Sequence, residues 1–184
     1  MQGLEDVIAG QGTPGVYRWE IDPAELFRTV RRAPSPATPT RTPEGRLALP
    51  LAMSGGHTDV EMPPWLIAAE DGGWEVFGLG PAEDKDAFLA HVGEVLEFPE
   101  YYNAHSWDAC YDLLTDMEWL PAQVGYLIVW PGWRELSEAA PEVFATALEV
   151  FGDAVEAWAE SETPMFVLLP AGPGELPGLP ELDG

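Results

Sequence analysis

The sequence predicts a small α/β fold: a parallel sheet of about three strands flanked by helices, with an N-terminal extension. Two observations point to it. Short, nearly continuous apolar runs stand at 74–79, 126–130 and 165–169, and amphipathic segments of helical period separate them. Strands that alternate with helices imply a parallel sheet joined by right-handed crossovers.

Taken in order, residues 16–21 (VYRWEI) alternate apolar and polar and read as a half-buried strand. A short helix follows over 23–32, with Pro23 suited to a first turn and basic residues at its end. Residues 33–45 hold four prolines and no apolar side chain larger than alanine, the composition of an extended linker or exposed loop. Residues 47–52 offer a brief packing segment, and WLIAAE at 65–70 reads as another strand. The strands on either side of this insert would pair in a small separate sheet. From Trp74 the pattern is firmer. WEVFGL is a strand, 78–81 a turn, and 84–96 a helix with Phe88, Val92, Val95 and Leu96 on one side. YLIVW at 126–130 suits a strand buried on both faces. A helix over 141–160 carries Phe144, Ala147, Leu148, Phe151, Val155 and Trp158, and MFVLL at 165–169 is a second buried strand. The tail is rich in Pro and Gly. The expected organisation is an extension over 1–71, a domain over 72–170 and a flexible tail over 171–184.

The segment 98–119 stands apart. Phe98-Pro99 biases the chain away from helix, and Ser106 is placed to cap a new one. In that helix Cys110, Leu113, Leu114 and Met117 form an apolar stripe, while Asp108, Asp112 and Asp116 recur every four residues on another face. Like charges at this spacing repel by about 0.2–0.5 kcal/mol per pair, and no Lys or Arg is interleaved. Either the face is simply solvated in an acidic protein, or it is held for a positive partner.

Composition favours the second. There are 32 acidic and 8 basic residues, a net charge of −24, which argues against nucleic acid or an anionic membrane as ligand and for a cationic protein partner. Six of the eight cations lie within the first 46 positions, leaving Lys85 and Arg134 for the rest. Cys110 is the single cysteine, so no intramolecular disulfide forms; its place on the apolar stripe suits a buried thiol. No signal peptide or membrane-spanning run is legible, and a cytoplasmic monomer is expected. His57, His91 and His105 show no metal-ligand spacing, and there is no nucleophile elbow or phosphate-cradling glycine loop. Neither an enzyme, nor a metal, nor a cofactor is expected.

Pro99-Glu100-Tyr101-Tyr102, then Asp108-Ala109, Asp112 and Leu114-Thr115, resemble the signature of the barstar family of ribonuclease inhibitors. Upstream GGWEVFGLG and DKDAFL, and downstream Asp116 to Trp119, Pro121 and YLIVW, fit the same pattern, so the likeness covers about 72–170. Pro14 to Trp19 also looks like the opening of longer bacterial members. Between the tyrosines and the first aspartate the chain has Asn103, Ala104, His105 and Ser106, one residue more than the family pattern, which has a glycine and an asparagine there. The resemblance implies a barnase-type secreted ribonuclease as partner, its cationic active site occluded by an acidic loop and helix. It carries contacts onto Tyr101, Asp108, Asp112 and Thr115, keeps an aromatic at Tyr111, and suggests Asp153 as a later acidic contact. Tyr102, Ser106, Trp107 and Asp116 complete the candidate surface. Two other readings stay open: an adaptor of this fold with a non-nuclease partner, and an acidic DNA mimic.

Overall fold

The computed structural model describes residues 3–21, 23–26, 30–31 and 61–183. Along the chain run α1 (Leu4–Ile8), β1 (Gly15–Glu20), α2 (Pro23–Leu26), β2 (Val30–Arg31), β3 (Glu61–Met62), α3 (Pro64–Asp71), β4 (Trp74–Gly78), α4 (Lys85–Val95), α5 (Trp107–Asp116), β5 (Gly125–Val129), α6 (Trp133–Ala139), α7 (Pro141–Trp158), β6 (Met165–Ala171) and β7 (Glu181–Asp183). The readings over 33–45 and 47–52, and His57, lie outside the described residues.

Residues of β5 and β6 alternate between two apolar layers, because successive side chains of a strand point to opposite faces. Tyr126, Ile128, Met165, Val167 and Leu169 face a core shared with Phe88, Leu89 and Val92 of α4, Cys110 and Leu114 of α5, and Phe144, Phe151 and Val155 of α7. Leu127, Val129, Phe166 and Leu168 face a second core with Leu4, Val7, Leu26, Leu66 and Ala69 from the N-terminal helices, together with Trp19 of β1. Every residue of β5 and of β6 is buried, the condition of parallel strands covered on both sides.

The sheet is parallel throughout, as expected, but it has five strands in the order β4-β5-β6-β1-β7 instead of about three. The two additional strands come from outside the 72–170 span. Tyr17 and Trp19 of β1 point inward and pair in register with Leu168 and Pro170 of β6. Residues 181–183, placed in the flexible tail by the sequence, pair with β1 as β7, and Leu182 is fully buried.

Three further differences have physical reasons. WLIAAE is helix α3, not a strand: Pro64 opens the first turn, and Leu66 and Ala69, three apart, are the buried positions. The expected separate sheet does not join 16–21 to 65–70; instead β2 and β3 pair antiparallel over two residues each. Helix α6 was not anticipated. It is seven residues long and turns only Trp133 and Leu136 inward, too few positions to set a period.

Arg18 and Arg134 fasten the chain's end. Arg18 pairs with Glu181. Arg134 meets Glu175 through two parallel hydrogen bonds of 3.0 and 2.5 Å, and Glu175 also accepts from the Gly172 N–H. These bonds, Arg134 first and the Gly172 N–H second, hold the Glu175 carboxyl below its ordinary range.

A lowered carboxyl adds stability that is present above the ordinary carboxylate range and lost as pH falls through the lowered value. Arg134→Met is therefore expected to cost up to about 1 kcal/mol near neutral pH, since both side chains are more than a third exposed. The gap to the parent protein should close on acidification, read by urea melts across pH. Separately, exposed Glu97 follows the end of α4 with φ 51°, a left-handed conformation that favours glycine. Glu97→Gly should raise stability by about 1 kcal/mol in a urea melt.

Candidate protein-binding site

Helix α5 begins where the sequence places it. The Ser106 hydroxyl accepts from the Ala109 N–H at 3.3 Å, an N-cap, so Ser106 serves the helix end. Cys110, Leu113, Leu114 and Met117 are all buried. Two indoles then fix the helix against its neighbours. Trp119 donates to the Leu96 carbonyl at the end of α4 at 3.0 Å, and Trp158 at the end of α7 donates to the Leu114 carbonyl at 2.8 Å. At the other end Trp107 leans on Phe88, with ring centroids 5.8 Å apart, and the Lys85 ammonium lies 5.9 Å over its ring.

So held, α5 presents Trp107, Asp108, Tyr111 and Asp112 across from Val150 and Asp153 of α7, and these six residues line an open groove of about 330 Å³. Asp108, Asp112 and Asp153 are exposed, and among the described residues none has an ion-pair partner. No three acidic, histidine or cysteine side chains converge tightly enough to hold a metal ion among those residues. The acids are separate charges that share the groove with the rings of Trp107 and Tyr111.

The remaining candidates divide. Asp116 is exposed in the last turn of α5, outside the groove, where the helix dipole adds to its repulsion from Asp112. The Thr115 hydroxyl donates back to the carbonyls of Tyr111 and Asp112 at 3.0 and 3.1 Å. Tyr101 is 76% exposed, the one large apolar side chain left in solvent among the described residues. Tyr102 turns the other way and packs against the core. His105 lies beside the site, its Nδ1 3.0 Å from the Asp86 carboxylate, with both side chains well exposed. Val150 was missed by the sequence analysis; it sits on α7's margin, and only the packing of α7 against α5 makes it a groove residue.

The thiol of Cys110 is 1% exposed, and burial pushes it up to about 12, which leaves it protonated and unreactive at neutral pH. The Asp108–Asp112–Asp116 series gives a direct test of whether the acids serve folding. Asp112→Ala removes two repulsive neighbours and inserts a better helix former, so the free protein should gain about 0.5–1 kcal/mol in a urea melt. A loss of more than about 1 kcal/mol would instead make Asp112 a structural residue.

Comparison with known proteins bears on the same region. A search of curated proteins finds no match. The Barstar family profile, described as Barstar (barnase inhibitor), matches residues 76–170, from β4 to β6, with the loop, α5 and α7 of the groove inside the matched span. That is a little over half of the 184 residues. The chain belongs to the barstar, or barnase inhibitor, family.

Proposed function

We propose that this chain inhibits a barnase-type ribonuclease by seating the α5–α7 groove over the enzyme's cationic active site. The observation that supports it most is the groove itself: Asp108, Asp112 and Asp153, none with an ion-pair partner among the described residues, line it together with Trp107 and Tyr111. A ribonuclease of this kind holds an RNA phosphate with clustered positive groups, and a rigid set of carboxylates takes the phosphate's place. Asp112 stands in for the phosphate. Asp108 and Asp153 meet cations at its margins, and exposed Tyr101 covers the rim. Tyr111 supplies a face for a guanidinium. A DNA mimic would spread its charge along an elongated surface, whereas here the candidate contacts gather around one helix.

The net charge of −24 should also steer a cationic enzyme into contact, so association is fast and falls with salt. The test is activity of a barnase-type ribonuclease from the same organism, titrated with this protein at low salt and at about 0.5 M salt. Stoichiometric inhibition at low salt, weakened at high salt, is expected. Asp112→Ala should cost about 2–5 kcal/mol of affinity, a range to which the barnase–barstar charge pairs themselves contributed. Glu138→Ala, exposed on α6 and away from the groove, should change affinity by no more than about 0.5 kcal/mol. No inhibition by an equimolar amount at low salt would overturn the proposal and leave the adaptor reading.

A further inference from the structure

Tyr101 and Tyr102 are neighbours in sequence with opposite surroundings. The Tyr102 N–H bonds to the Pro99 carbonyl at 2.8 Å, closing a turn over 99–102 that throws Tyr101 outward and Tyr102 inward. The Tyr102 hydroxyl donates to the Leu89 carbonyl of α4 at 3.0 Å and lies near the Cys110 thiol of α5. Its ring lies so close to α4 that a Cβ on Gly93 would come within 2.6 Å of it. Gly93 is buried in the helix interior, where glycine costs about 1 kcal/mol relative to alanine; here it leaves the notch that the ring fills. Phe98 meets the ring edge-on at 4.8 Å and Trp119 at 5.7 Å, and Trp119 is itself bonded to α4.

We infer that Tyr102 is a positioning residue: it locks the loop that carries Tyr101 onto α4 and α5, so that loop and acidic helix meet a partner as one preformed surface. Its place in binding rests on the function proposed above; the lock itself does not. A loop already ordered in the free protein spares a partner that ordering on docking, so loosening the loop should show mainly in dissociation. The net charge is unchanged by Tyr102→Phe, which leaves electrostatic steering, and so association, intact.

Cys110 is the single cysteine of the chain, so its alkylation under native conditions reports one place, in the core near Tyr102. In the free protein Tyr102→Phe removes the hydroxyl and keeps the ring. Cys110 labelling and amide exchange over 100–106 should then accelerate about tenfold beyond what the change in global stability, read by urea, accounts for. Gly93→Ala, which fills the notch with Tyr102 intact, should do the same. Against a barnase-type ribonuclease, Tyr102→Phe should raise the dissociation rate about tenfold while association stays within about twofold. If labelling and exchange rise only in step with global unfolding in both variants, Tyr102 is an ordinary core residue and the inference is wrong. Should the unsubstituted chain not bind the ribonuclease, the proposed function fails, and labelling and exchange in the free protein still decide whether the lock exists.

Discussion

Two adjacent strands buried on both faces dictate most of this structure. β5 and β6 have no polar face to offer solvent, and a sheet of that kind is stable only when layers of helix cover both sides. One cover is α4 to α7, which carries the groove. The other is built by α1, α2 and α3, and β1 and β7 continue the sheet beyond β6. These described N-terminal elements are thus part of the sheet and its second core, and α1, α2 and α3 bury their apolar residues on the face opposite α5.

Charge is arranged around the same division. Arg18 and Arg134 bind Glu181 and Glu175 near the chain's end, and Lys85 lies over an indole. No described cation pairs with an acid of the groove. Neutralising those acids internally would have been easy and stabilising, at a few tenths of a kcal/mol per helical pair. In a protein with so large an excess of acid the described cations lie elsewhere, so the groove acids are left without a neutralising partner among the described residues, as the proposed cationic partner would require.

Much of this was legible in the sequence, and the limits of legibility are physical. The strands at 74–79, 126–130 and 165–169 announced themselves through apolar runs, and α5 through the Ser106 cap and the Cys110, Leu113, Leu114 stripe, because local chemistry and burial agree there. Residues 65–70 misled because a short apolar run of six residues fits strand and helix alike, and the deciding feature was Pro64 in the first turn. β7 was invisible: three residues in a Pro- and Gly-rich tail acquire strand geometry only because β1 presents an open edge. The acids of α5 could be read from their spacing of four, whereas Val150 enters the groove only through the packing of α7 on α5. Tyr102 is the clearest case. The pair Tyr101-Tyr102 reads as one aromatic patch, and the notch at Gly93 that separates their environments is a tertiary fact.

The groove also explains where the rigidity of the fold is concentrated. Three acids on one helix face lower the helix's own stability, so the helix cannot be held in place by local preference alone. It is held by contacts made from its back and ends: four buried apolar side chains along the stripe, a serine cap, and indole bonds from Trp119 to α4 and from Trp158 to α5. Each neutral bond is worth about 1 kcal/mol net, more than the repulsion between one pair of aspartates. Packing therefore wins over electrostatics by a margin wide enough to hold like charges side by side, and under the proposed function a partner would meet carboxylates already in place, so that none of their order would have to be created on contact.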